Sequence, residues 1–176
     1  MDESSLLERA QRLETQALIQ IYDLYSDEIY RYAVRLSGDP DLAEECVAET
    51  FARLLEAFQH GRGPRQFLRA YLYRIAHNWL TDQLRASRRT VSLEEASSPI
   101  ASDDPALEAE ERIRQQIVRE ALLQLTPDQR QVIILRYVEG WDLEEIARAV
   151  QKPIGAVKAL QHRAIARLRR LLTSEK

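Results

Sequence analysis

Several residue types that mark particular classes of protein are scarce in this sequence. One cysteine, Cys46, excludes an internal disulfide framework and a thiolate zinc cluster. Only three histidines are present, so we expect neither a dedicated metal site nor a cofactor. No run of about 18 apolar residues occurs, so we expect no membrane insertion. The acidic N-terminus has no apolar signal core, which predicts a cytoplasmic protein.

Glycine and proline are also scarce, with five and six residues in a chain of 176. The tracts between them are rich in leucine, alanine, glutamate, arginine and glutamine, which are strong helix formers. Runs of alternating β-branched residues are absent. The sequence therefore predicts an all-α fold: two small helical domains joined by an acidic flexible linker, the C-terminal domain being a helix-turn-helix.

The spacing of apolar residues predicts three long helices in the first half of the chain. The first covers about residues 14–37 and the second about 40–58. The third covers roughly 65–88, and we expect one line of it to be buried: Leu68, Leu72, Ile75 and Trp79. The opposite face should then turn a mixed polar and aromatic set toward solvent: Tyr73, Arg74, His77, Asn78, Thr81, Arg85 and Arg88.

The second half begins with residues 90–111, which lack periodicity and are rich in serine, proline and acidic residues, as is typical of a linker. Helices then alternate with breaks at Pro127 and Gly140. A short helix at 142–150, a tight turn and a basic final helix at 154–172 form a helix-turn-helix pattern. Gln151 in that turn costs about 1 kcal/mol if its backbone requires a positive φ.

Charge is distributed unevenly although the net charge is only −3. Residues 1–59 carry a net charge of −8, residues 60–90 carry +6, residues 91–111 carry −7 and residues 112–176 carry +6. Two basic blocks in an acidic protein indicate two anion-binding surfaces and at least one surface for a basic partner. The alternative interpretation is that each charge run is a solvated face without a partner.

The residue types favour nucleic-acid binding over catalysis. There is no glycine-rich phosphate loop and no plausible Cys/His pair, and we expect Cys46 to be a buried, inert thiol. The third helix mixes arginines with Tyr73, His77 and Asn78, which suits single-stranded nucleic acid because aromatic rings stack on bases. The loop before it, residues 59–64, has a composition that suits a pocket for an unstacked base.

Four segments resemble, in order, an extracytoplasmic-function (ECF) sigma factor of bacterial RNA polymerase: LYSDEIYRYAVRLSGDPDLAEECVAETFARL, FLRAYLYRIAHNWLTDQLRASRR, LTPDQRQVIILRYVEGWDLEEIARAV and GAVKALQHRAIARLRRL. The resemblance implies sigma region two at 11–89, an acidic linker at 90–111 and sigma region four at 112–173. It implies a non-enzymatic initiation factor whose partners are core RNA polymerase and promoter DNA. Region two would recognise and melt the −10 element, and region four would read the −35 element. The resemblance also allows an anti-sigma factor as a partner.

Candidate site residues follow from the resemblance and from helical spacing. Those expected to bind −10 DNA are His60, Arg62, Arg65, Tyr73, His77, Asn78, Arg85 and Arg88. Those expected to bind −35 DNA are Lys158, Gln161, His162, Arg163 and Arg167, of which the arginines suit phosphates. The helix matching 41–56 docks on polymerase in this family, which implies binding through its acidic stripe: Asp41, Glu44, Glu45 and Glu49.

Two other functions fit parts of the sequence. The first is a two-domain helix-turn-helix regulator that binds duplex DNA without polymerase, although it leaves the acidic helix and the aromatic-basic helix without a partner. The second is a helical adaptor that binds an acidic or basic protein and no DNA.

Overall fold

The structure, a computed structural model, describes residues 2–90 and 109–174, without the side chains of residues 89 and 90. These ranges form eight α-helices and contain no β-strand, which confirms the predicted all-α class. The helices are α1 (Glu3–Gln11), α2 (Thr15–Ser37), α3 (Pro40–Gln59), α4 (Leu68–Thr90), α5 (Ala109–Leu123), α6 (Pro127–Ile133), α7 (Leu143–Val150) and α8 (Ile154–Thr173). A π-helical turn, Ile134–Val138, continues α6.

The N-terminal bundle consists of α1 to α4, with α2, α3 and α4 in mutual contact. Gly38 ends α2 in the left-handed conformation, with φ 75°. Asp39 then caps α3, because its side chain accepts hydrogen bonds from the backbone N–H groups of Asp41 and Leu42. The predicted boundaries of the first two long helices are therefore confirmed to within two residues.

Helix α1 was not predicted. Its apolar residues Leu6, Leu7 and Ala10 are buried against the bundle. Glu3 Oε1 accepts a hydrogen bond from the backbone N–H of Leu68 at 3.2 Å, and Gln11 donates to the carbonyl of Pro64 at 3.2 Å. Helix α1 thus fastens the loop that leads into α4.

The predicted third helix begins later than expected. Residues 65–67 remain in the loop, and Phe67 has φ 55°, which is incompatible with a continuous α-helix. At its other end α4 includes Thr90, and α5 already begins at Ala109. Helical residues therefore extend into both ends of the predicted linker at 90–111, and its residues 91–108 lie outside the described ranges.

The C-terminal unit consists of α5 to α8. Thr126 and Asp142 cap α6 and α7 through capping boxes with Gln129 and Glu145. Gln151 ends α7 with φ 53° and ψ 45°, so the left-handed strain considered above is present. One side of the final helix faces the core: Val157 and Ala164 are buried, and Leu160, Leu168 and Leu171 are half-buried.

The two units pack against each other in this structure. Helix α4 contacts α7, and α2 contacts α5, α6 and the π-helical turn, so buried residues of both units form one continuous cluster. The prediction that Tyr73, His77 and Thr81 face solvent is therefore wrong, because the C-terminal unit covers that side of α4. Ile75, predicted to be buried, is only half-buried.

Candidate nucleic-acid and polymerase interfaces

A stripe of α4 that remains accessible begins at the loop and continues for more than four turns. Phe67 is half exposed, Tyr71 and Arg74 are partly exposed, and the Arg74 guanidinium lies 5.0 Å from the centre of the Tyr71 ring. Further along the same stripe Asn78 and Arg85 are exposed, as the sequence predicted. Arg88 is exposed too. The spacing i, i+4, i+7 places the aromatic and guanidinium groups on one face.

The loop before α4 has a defined shape. His60, Arg62 and Arg65, which the sequence analysis assigned to −10 DNA, are all exposed. His60 Nδ1 donates to the backbone carbonyl of Glu56 at 2.8 Å, which leaves Nε2 accessible. Gly63 packs so closely on Phe58 that an added Cβ would clash with its ring, so any other residue there requires the buried ring to move.

A cavity of about 290 Å³ lies between this loop and α4. Phe67, Tyr71 and Arg74 line it together with Pro64, and Arg148 of the C-terminal unit closes one side with its guanidinium 4.3 Å from the Phe67 ring. Sequence reasoning assigned a pocket to the loop but missed Phe67 and Tyr71. The sequence signal that could have identified them is their spacing, i and i+4, beside a basic block.

Tyr73 and His77, predicted to bind DNA, lie in the contact between the two units. The His77 ring is hydrogen-bonded on both sides, through Nδ1 to the Tyr32 hydroxyl and through Nε2 to Asp128, each at 3.1 Å. The hydrogen bond from His77 lowers the pKa of Asp128. The stability that this hydrogen bond contributes is therefore lost as the pH falls through the lowered pKa of Asp128. Burial, followed by the nearby carboxylates of Glu139 and Glu28, raises the pKa of Tyr73.

The predicted polymerase-binding stripe lies on α3. Asp41, Glu44 and Glu45 are exposed, whereas Glu49 is half-buried and accepts a hydrogen bond from Arg53 at 2.7 Å. Cys46 lies on the opposite side and is buried, and burial raises the pKa of its thiol to about 12, as expected of an inert cysteine.

An apolar patch that the sequence analysis missed continues the acidic face of α3. Leu55 is exposed, and Tyr22 of α2, also exposed, packs on Phe51 with ring centroids 4.9 Å apart. The face of α3 thus combines carboxylates at one end with exposed apolar side chains at the other.

Helix α8 presents an open surface. Lys158, His162 and Arg163, which the sequence analysis assigned to −35 DNA, are exposed. Gln161 is half-buried and donates to the hydroxyl of Tyr137 at 2.9 Å. Arg167 is exposed, although its Nε donates to the carbonyl of Gln124 at 3.1 Å. Tyr137 itself was not predicted, and it lies 58% exposed beside this surface.

Metal-ligating clusters are absent from the described ranges, and so is any helix long and apolar enough to cross a membrane.

Two family profiles match the chain: Sigma-70 region 2 over residues 21–90 and Sigma-70, region 4 over residues 115–168. The ECF RNA polymerase sigma factor SigL of Mycobacterium tuberculosis is 34% identical over 163 residues, which cover 89% of each chain. This chain belongs to the ECF sigma factors. It is a transcription initiation factor that binds core RNA polymerase and directs it to specific promoters, and the regulator acting without polymerase gains no support.

Other relatives of this sigma factor agree. The ECF RNA polymerase sigma factor BldN of Streptomyces coelicolor is 32% identical over 173 residues, covering 97% of this chain and 66% of BldN, so the chain spans just under two thirds of that relative. Among solved structures, the sigma factor RpoE of Bartonella quintana, in complex with the anti-sigma factor NepR, matches with a TM-score of 0.67 and 27% identity. That match covers 89% of this chain and 97% of RpoE.

Proposed function

We propose that residues 11–89 act as sigma region two, at the −10 element and on polymerase, and that residues 112–173 act as region four at the −35 element. Below, region two denotes α1–α4 and region four denotes α5–α8. This proposal rests on the cavity beside α4 that Phe67, Tyr71 and Arg74 line, called the groove below, together with the open basic face of α8. The factor has no catalytic activity of its own and acts in the cytoplasm, where polymerase and promoter DNA meet.

The groove suits an unstacked base of the −10 element. Phe67 and Tyr71 offer ring faces, and every base has a π-face on which such rings stack. His60, Arg62 and Arg65 do not line the groove but are exposed on the loop beside it, from which they read the edge of a base that enters the pocket. Asn78 contributes an amide beside it. Arg85 and Arg88 lie further along α4, where cations contact phosphates without reading sequence.

The face of α3 suits a basic surface of polymerase. Asp41, Glu44 and Glu45 supply exposed carboxylates, with Glu49 beside them, and complementary charge speeds and orients association. The neighbouring patch of Tyr22 and Leu55 supplies apolar area of the kind that interface cores contain.

The face of α8 suits the major groove of duplex DNA. Lys158 and His162 lie one turn apart near the N-terminal end of the helix, the part that a helix-turn-helix inserts among base edges. Gln161 lies between them, with its amide held by Tyr137. Arg163 and Arg167 lie further along and contact phosphates.

An anti-sigma factor is a second partner that we propose. The support is the likeness to RpoE, whose solved structure holds the anti-sigma factor NepR. A protein of this kind would regulate the sigma factor by competing with polymerase for the surface of the sigma factor.

Reconstituted holoenzyme tests the proposed function. Core polymerase plus this factor should melt a selected promoter, visible as permanganate-reactive thymines, whereas the factor alone should not. Tyr71→Ala should weaken melting by about 1–3 kcal/mol, the usual contribution of one stacked base, without reducing polymerase binding. Ile113→Ala, at an exposed apolar side chain of α5, is the control. Equal promoter occupancy with and without core polymerase would contradict the proposal.

A further inference from the structure

One wall of the groove is formed by a residue with an unusual backbone conformation. Phe67 lines the cavity with a side chain that is 50% exposed, and its φ is 55°. Glycine adopts this left-handed conformation readily, whereas a residue with a side chain keeps it only where surrounding contacts fix it. The contacts that fix the backbone of Phe67 therefore also fix a wall of the groove.

The position of Phe67 at the start of α4 shows where such a contact is needed. Its carbonyl accepts a hydrogen bond from the backbone N–H of Tyr71 at 3.0 Å, so Phe67 directly precedes the first helical residue, Leu68. That place usually belongs to serine, threonine, aspartate or asparagine, whose side-chain oxygen accepts from an N–H group of the first turn. Phe67 has no such oxygen, and the first turn of α4 takes an acceptor from another part of the chain.

Helix α1 supplies that acceptor and a second contact. Glu3 Oε1 accepts a hydrogen bond from the backbone N–H of Leu68 at 3.2 Å, directly after Phe67. A carboxylate is favourable at this end of α4, where the helix dipole is positive. Gln11 Nε2, at the other end of α1, donates to the carbonyl of Pro64 at 3.2 Å. The two hydrogen bonds hold the chain on both sides of Phe67.

Helix α1 is itself anchored in the bundle, so these hydrogen bonds join the loop to a fixed support. Leu6, Leu7 and Ala10 are buried, and α1 contacts both α2 and α3. Glu3 and Gln11 are eight residues apart, about 12 Å along the helix axis. Glu3 binds the end of the loop and Gln11 an earlier point, so the loop runs alongside α1 in the opposite direction.

We propose that Glu3 and Gln11 are positioning residues for promoter recognition, because they hold Phe67 in the conformation that sets which −10 base the groove prefers. This inference rests on the proposed function, since it assumes that the groove takes a base of the −10 element. Neither Glu3 nor Gln11 lines the groove, so their effect passes through the backbone at Phe67 and not through a contact with DNA.

Glu3→Ala in reconstituted holoenzyme tests the inference. Selection from randomised −10 sequences measures the base preference at each position. Phe67→Ala and Tyr71→Ala identify the position whose base enters the groove. At that position we expect Glu3→Ala to lower the preference about fivefold, as the loss of one hydrogen bond predicts. Preference within the −35 element should not change.

Three further variants separate positioning from a general loss of stability. Glu8→Ala removes the same kind of carboxylate from an exposed position of α1 and should leave the −10 preference unchanged. Glu3→Gln keeps an oxygen that accepts from the N–H of Leu68, so it should restore most of the preference. Gln11→Ala removes the other hydrogen bond and should lower the preference at the same position. Circular dichroism checks that each variant is folded.

A double-mutant cycle with Phe67→Ala distinguishes action through Phe67 from an independent structural role. Once the Phe67 ring is absent, Glu3→Ala should have no further effect on −10 preference, whereas the effects of independent residues add. Additive effects would overturn the inference. So would an unchanged preference in both Glu3→Ala and Gln11→Ala, or in Phe67→Ala, while Tyr71→Ala alters the preference; the proposed function would then stand. An unchanged preference in both Phe67→Ala and Tyr71→Ala would instead refute the proposed base groove, and the inference with it.

Discussion

Region two and region four differ in how they present their proposed DNA surfaces. Along α8, Lys158, His162 and Arg163 point to solvent, so the −35 surface is open in the free protein. Along α4, Tyr73 and His77 are buried beneath region four, and Arg148 reaches the side of the base groove. Helical periodicity therefore predicts which residues share a face of a helix. It does not predict which of these faces another part of the chain will bury.

The largest predicted effect is a loss of stability when a buried side chain of the covered surface is truncated. Trp141→Ala takes away a buried indole that packs on Tyr73 and Arg69, and such a truncation costs about 3 kcal/mol or more. Urea unfolding followed by circular dichroism measures this loss. Tyr137→Ala truncates an aromatic side chain on the open surface, and its cost should stay within about 0.5 kcal/mol. Equal losses in the two variants would mean that the covered and open surfaces do not differ energetically.

A second prediction separates the residues of the open surface that read bases from the one that binds phosphate. Lys158→Ala and His162→Ala should each alter −35 preference, costing about 1–3 kcal/mol at the base concerned. Arg163→Ala should weaken binding to all sequences alike and lower the salt slope by about one, because we propose that Arg163 contacts phosphate. Selection by holoenzyme from randomised −35 sequences measures both effects. An unchanged consensus in both of the first two variants would show that these side chains do not read bases.

The smallest effect concerns the turn that aims the open helix. Gln151 holds φ 53°, a conformation that costs a side chain about 1 kcal/mol and costs glycine little. Gln151→Gly should therefore raise the free energy of unfolding by up to about 1 kcal/mol without changing −35 preference. Thermal unfolding provides the measurement. Lys152→Gly, at a neighbouring residue without a positive φ, should not stabilise, and a gain there as large would refute the explanation.

The sequence was sufficient for features that depend on near neighbours. The ends of α2 and α3, with Gly38 and Asp39 between them, follow from local capping chemistry, as do the limits of α7 and α8. Exposure of Lys158 and His162 follows from the spacing of Val157 and Ala164, which are buried in region four itself.

Features that depend on distant parts of the chain were missed. Tyr73 is buried by Trp141, which is 68 positions further along, and no local pattern contains that pairing. Helix α1 has only three buried residues, a weak periodic signal, and its position is fixed by contacts with Pro64 and Leu68. The start of α4 was misplaced because the helix formers around Phe67 conceal a left-handed residue.

The attachment of α1 has a practical consequence for experiments. Glu3 and Gln11 hold the residues on either side of Arg65 to Phe67, so the first dozen residues are part of the support of the base groove. An affinity tag fused at Met1, or proteolytic trimming during purification, would act directly beside that support. Promoter-selectivity assays are therefore best carried out with protein whose tag is at the other terminus.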